Sequence, residues 1–230
     1  MKIVSLILAR GGSKGIPKKN IYLLSGKPLL YYSLNAAMNS QVDEVWVSTD
    51  CPEIKKIALS YKAKVLDRPN EISTDVAQSE DALMHFAKKI DFDILVFIQP
   101  TSPLIQSKDI NNGLDLLKNQ KYDSVFSVYK EHWTPRWSLA MEPVNWDINN
   151  RPRRQDVEER YVENGAFYIT YKTHLLNSQL RYSGNIGSVE MPISRSFQID
   201  INLPQLMVLS VENEIKNDFL INVSKSNSLS

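Results

Sequence analysis

A short apolar run from Ile3 to Leu8 breaks at once into Ala9, Arg10 and the glycine-rich stretch 11–15, the pattern of a buried strand running into a loop. Beyond Gly26 and Pro28, Leu30, Leu34, Ala37 and Met38 recur at the spacing of a core-facing helical stripe. Residues 44–48 then predict a strand, 52–61 a helix and 64–66 a strand. After a polar loop around Arg68 and Pro69, a helix opened by Ser79 carries Leu83, Phe86, Ala87 and Ile90 on one face. The run 94–98 is wholly apolar and stops at Pro100 and Pro103, which forbid continuation of a ladder. Ser107 caps a helix bearing Ile110, Leu114 and Leu117, and 124–128 predicts another strand. Strand and helix alternate in the manner of an α/β fold with a mainly parallel sheet flanked by helices.

The alternation fails over residues 129–163, which are rich in aromatics, charges and prolines without a period, so a β-hairpin or extended excursion is expected there. It resumes with strands at 166–170, 186–191 and 197–201, a closing helix from Leu203 to about Ile215, and a fraying end from Ser224. At 230 residues, with 43% hydrophobic and 23% charged side chains, the chain suits one globular domain spanning 1–230. The single cysteine, Cys51, has no partner for an internal disulfide, and the first apolar run is too short for a signal or membrane segment, so a cytoplasmic location is expected.

The net charge of +1 excludes a broad electrostatic grip on nucleic acid, and no membrane contact is expected either. It hides an asymmetry, however. Residues 1–42 hold Lys2, Arg10, Lys14, Lys18, Lys19 and Lys27 and no acid. Four of these cations lie between positions 10 and 19, after the first strand, where parallel sheets place their ligands. Gly11, Gly12 and Gly15 allow close backbone approach, so the loop suits a phosphate chain. Neither the P-loop pattern nor the dinucleotide G-x-G-x-x-G is present. No His pair has metal-site spacing: His85, His132 and His174 are scattered, and Cys51 has no thiolate-stabilising neighbour in sequence.

The segment LARGGSKGIPKKN at 8–20 resembles the first motif of the acylneuraminate cytidylyltransferases, also called CMP-sialic acid synthetases. QPTSPL at 99–104 resembles a second motif, RRQD at 153–156 followed by ENGAFY at 163–168 a third, and Asp200-Ile201-Asn202 with Pro204 the family's carboxylate motif. These lie in family order over most of the chain. The resemblance implies a Rossmann-like nucleotidyltransferase fold in which 129–163 is a dimerisation excursion. It also implies transfer of CMP from CTP to the anomeric hydroxyl of a nonulosonic acid, with release of pyrophosphate and help from Mg2+ or another divalent cation.

Carried over by motif, Arg10, Lys14 and Lys19 would hold the triphosphate on the loop of Gly11, Gly12 and Ser13, with Asn20 orienting the nucleotide. Arg10 and Lys19 would stabilise the transition state. Ser79 matches a position near cytosine or ribose, although it would equally serve as a helix N-cap. Gln99 and Thr101 match positions facing the sugar acid. Arg154 and Gln155 match a pair that reaches the neighbouring subunit's site, and Arg136, Asn164 and Tyr168 would complete the sugar pocket. Asp200 is the expected metal ligand, with Asn202 standing where the family usually has a second aspartate. Ile105 also stands where family members often carry arginine, and Val162 where some bacterial ones do. The stretch from Arg136 to Asp156 is nearer the animal-type version of the family. Two alternatives follow: a cytidylyltransferase for another 2-keto sugar acid such as 3-deoxy-octulosonate, or a non-catalytic nucleotide-binding subunit, motivated by Asn202. The tryptophans Trp133, Trp137 and Trp146 predict a homodimer through the excursion.

Overall fold

A computed structural model describes residues 1–13, 15–119 and 122–199. A seven-stranded sheet forms its centre, in the order β11-β7-β10-β6-β1-β4-β5. Strands β1 (Ile3–Leu8), β4 (Glu44–Thr49), β5 (Lys64–Asp67) and β6 (Ile94–Ile98) run parallel. The helices α1 (Leu29–Met38), α2 (Pro52–Ser60) and α3 (Ser79–Lys89) link them. β2 (Leu23–Leu24) and β3 (Lys27–Pro28) form a short ribbon before α1. All five residues of β6 are buried, as an uninterrupted apolar run in a sheet covered on both faces requires. Each contributes about 2 kcal/mol of burial.

The far half departs from the parallel pattern. After α4 (Ser107–Asn119), β7 (Ser124–Glu131) pairs antiparallel with β10 (Arg160–Tyr171), which itself lies antiparallel to β6. β11 (Ile186–Glu190) closes the sheet parallel to β7. The expected strands at 124–128 and 166–170 are therefore ends of longer ones. Their distal halves form the legs of the excursion, which ends in the small β8 (Arg136–Trp137) and β9 (Pro143–Val144) hairpin.

Four local expectations need correction. Met38 is 40% exposed, because α1 ends there and only Leu30, Leu34 and Ala37 of its stripe are buried. The N-cap of α3 is Gln78, whose backbone N–H donates to Asp81 at 3.0 Å in a capping box, so Ser79 is the first helical residue and not the cap. Ser107 is likewise the first residue of α4 and not its cap, with Gln106 N donating to Asp109 Oδ2 at 3.0 Å; a further helix, α5 (Lys172–Ser178), carries His174 and buries only Leu175. Residues 197–199 are not a strand; Ile199 N donates instead to Thr101 O at 2.8 Å. The closing helix from Leu203 and the end from Ser224 lie outside the described residues.

Candidate active site

Chain order reverses direction across the sheet between β1 and β6, and ligands of open α/β sheets bind at the carboxyl ends of strands at such a point. A cavity of about 310 Å³ lies there, within the range of small-molecule sites. Arg10, Gly12, Ser13, Lys19 and Asn20 line it from the loop after β1, and Gln99, Pro100 and Thr101 from the loop after β6. Arg68, Asp75, Gln78 and Ser79 line it from the segment that joins β5 to α3.

Local bonds shape the loop. Gly11 N donates to Asp50 Oδ1 at 2.8 Å, tying the loop to the end of β4. A Cβ at Gly11 would fall 2.9 Å from the Cβ of Cys51, so only glycine fits beside that half-buried thiol. Asn20 is buried, donates from Nδ2 to Arg10 O at 2.9 Å, and thereby fixes the backbone that carries the Arg10 guanidinium. Its Oδ1 is buried with no hydrogen-bond partner among the described residues. Lys18 points away, to Glu53 at 2.8 Å.

The electrostatics favour an anion. Arg10 Nη1 pairs with Asp75 Oδ1 at 2.8 Å, but both side chains are about a third exposed, so the pair is weak enough for a phosphate to displace the carboxylate. Arg68 is the cation that motif matching missed. It is buried, and it donates from Nε to Ser48 Oγ at 3.1 Å and from Nη2 to Ser48 O at 2.6 Å. Burial pushes its pKa down to about 10, Asp50 opposes that shift and Arg10 adds to it, and the group stays charged at neutral pH. The one available signal was an arginine in a polar loop between a strand and a helix.

The residues matched to the sugar acid divide into two groups. Gln99 and Thr101 face the cavity. Beside them, Asn164 and Tyr168 are buried in the scaffold. Asn164 accepts from Ala166 N at 3.1 Å and donates to Ser196 Oγ at 3.0 Å. Tyr168 donates to Glu163 and stacks between Phe97 and Tyr182, with Arg181 5.1 Å above its ring. Burial first, and then the bond to Glu163, raise its pKa. Arg136, Arg154 and Gln155 lie on the excursion, outside this cavity. Arg136 is exposed and paired with Glu131, whereas Arg154 and Gln155 line an open hollow with Glu131, His132 and Trp133.

Ile105 is 5% exposed and packs in the core, so the position often held by arginine in relatives is structural in this chain. Among the described residues no group of three or more His, Cys, Asp or Glu comes together as a metal site. No described helix is long and apolar enough to cross a membrane. Lys14, Asp200 and Asn202 lie outside the described residues.

The chain is similar to known proteins. Over 210 residues the chain is 41% identical to N-acylneuraminate cytidylyltransferase A of Danio rerio, covering 87% of this chain and 48% of that protein. It is 32% identical to the N-acylneuraminate cytidylyltransferase of Streptococcus agalactiae serotype V, covering 88% and 51%. The chain thus spans about half the length of these curated relatives. A flagellin modification protein B of Campylobacter coli is 30% identical, with 88% of this chain and 91% of that one covered. Among solved structures, a CMP:2-keto-3-deoxy-manno-octonic acid synthetase complexed with CTP superposes with a TM-score of 0.72 at 20% identity, covering 95% of this chain and all of the other, which bears on the fold alone. A family model described as cytidylyltransferase matches residues 4–214, and the chain belongs to the cytidylyltransferase family.

Proposed function

We propose that the protein is an N-acylneuraminate-type cytidylyltransferase, transferring CMP from CTP to the anomeric hydroxyl of a nonulosonic acid. The observation that carries this reading is the single cavity in which Arg10, Lys19 and Arg68 converge beside the neutral amide and hydroxyl of Gln99 and Thr101. The substrates are both anions, and a cation about 4 Å from a phosphate charge contributes roughly 4 kcal/mol at an effective dielectric near 20. Several cations are therefore needed to bring them together.

In this reading Arg10, Lys14 and Lys19 hold the triphosphate over the backbone of Gly11, Gly12 and Ser13. Ser79, fixed at the start of α3, faces the nucleoside. Gln99 and Thr101 hold the sugar acid. Its anomeric hydroxyl attacks the α-phosphorus and gives up its proton to water; a new P–O bond forms, and the bond from the α-phosphorus to the bridging oxygen breaks as pyrophosphate leaves. Arg10 and Lys19 stabilise the charge that develops on the phosphoryl oxygens. Asp200 and Asn202 would hold a divalent cation such as Mg2+, which would add charge neutralisation at the triphosphate when bound. The fit is chemical: the cavity gathers cations for a triphosphate, and Ile199, just before Asp200, bonds to Thr101 at its rim.

Arg154 and Gln155 serve the site of a second subunit. Their distance from the chain's own cavity, and the exposed Trp137 and Leu139 on the same excursion, support a homodimer. The enzyme works in the cytoplasm on soluble substrates.

The test is pyrophosphate release with CTP and Mg2+ across a panel of nonulosonic acids, with 3-deoxy-octulosonate and sugar-free controls. Release with a nonulosonate is expected. Release with 3-deoxy-octulosonate alone moves the substrate to that sugar acid, and silence throughout with intact CTP binding favours a non-catalytic subunit.

A further inference from the structure

Gln99 is held by its backbone: its N–H donates to Ala166 O at 3.1 Å, and its carbonyl accepts from Ser102 N at 3.3 Å. What remains to be set is the orientation of its side-chain amide, which decides whether the cavity meets a donor or an acceptor. Gln198 Nε2 donates to Gln99 Oε1 at 3.1 Å. The two amides meet over Gly165, whose φ of +68° is open to glycine; a Cβ there would lie 2.0 Å from Gln198 Nε2 and 3.0 Å from Gln99 Oε1. With Oε1 engaged, Gln99 offers its Nε2–H donors.

Gln198 lies on a segment bonded at two other points, once to the scaffold beside the cavity and once to the cavity's lining. Asn164 Nδ2 donates to Ser196 Oγ at 3.0 Å, and Ile199 N donates to Thr101 O at 2.8 Å. Residues 196–199 thus hold Asn164, Gln99 and Thr101 in one frame.

We propose that Gln198 is a positioning residue which fixes the Gln99 amide so that it donates to an oxygen acceptor of the sugar acid, a carboxylate or acyl carbonyl. The inference rests on the cytidylyltransferase reading above. It makes Gln198 a determinant of sugar-acid affinity without contact to the nucleotide.

Two variants test it by steady-state kinetics with each substrate varied. Gln198→Met keeps the volume but cannot donate, so Gln99 is free to turn; the sugar-acid KM should rise about threefold with the CTP KM unchanged. Gln198→Glu accepts only, so it draws Gln99 Nε2 away from the cavity and turns Oε1 toward the substrate. There the sugar-acid KM should rise about tenfold or more. The rise in the uncharged Met variant separates lost amide orientation from repulsion by a new carboxylate, since charges at this part-buried position are only weakly screened by salt. Unchanged sugar-acid KM in both active variants overturns the proposal, as do equal losses for both substrates or a rise in the Glu variant alone. Absence of turnover by the unaltered protein with every sugar acid would instead defeat the parent reading, whatever the variants do.

Discussion

The loop after β1 and the excursion beyond β7 are both rich in cations, yet the fold treats them differently. Around the loop, tertiary bonds turn charge inward: Asn20 fixes the Arg10 backbone, Asp50 anchors Gly11, and Ser48 holds a buried Arg68. On the excursion, Arg153 pairs with Asp156 and Lys130 with Glu159, all at the surface, while Trp137 and Trp146 pack on each other at 5.0 Å rather than on the sheet. The first region lines a cavity with residues of one chain. The second presents aromatic and charged groups that a single chain leaves half covered. The presence of cations thus says little about a site until burial and hydrogen bonding give that charge a direction.

The largest effect that sharpens this contrast is expected in the loop. Arg10→Ala should lower pyrophosphate release by about a hundredfold to a thousandfold with the melting temperature little changed, since the side chain acts on developing charge and is partly exposed. Near-normal turnover would remove Arg10 from the catalytic role. Next, Leu139→Asp places a charge on a fully exposed apolar residue of the excursion. Sedimentation should show the dimer dissociation constant raised about thirtyfold, with a parallel loss of sugar-acid affinity. A dimer that survives intact would locate the interface elsewhere.

The smallest effects concern stability. Glu80 and Arg181 form a bidentate pair at 2.6 and 2.9 Å that ties α3 to the chain after α5. Burial alone would raise the Glu80 pKa, but the hydrogen bond and charge of Arg181 outweigh it and the net shift is downward. The pair's contribution is therefore complete above the ordinary carboxylate pKa and is lost as pH falls through the lowered folded value. Glu80→Gln should cost about 2 kcal/mol at neutral pH and flatten that acid loss in denaturant titrations. Glu159→Gln, breaking an exposed pair on the excursion, should cost under about 0.5 kcal/mol. Equal costs would show that the excursion is as tightly organised as the sheet.

The sequence alone determined the strands β1, β4 and β6, the helices between them, and the glycine-rich loop after β1, because an uninterrupted apolar run, a 3.6-residue stripe and a cluster of glycines are local patterns set by chain geometry. Motif order supplied the family. Only the tertiary structure decided that Arg68 turns into the cavity, that β10 runs antiparallel beside β6, that Asn164 is held within the scaffold, and that Gln198 meets Gln99 across Gly165. These depend on contacts between residues tens of positions apart. Such contacts leave no periodic trace in the chain, since the free energy that selects them comes from burial and hydrogen bonding that exist only once the sheet is assembled.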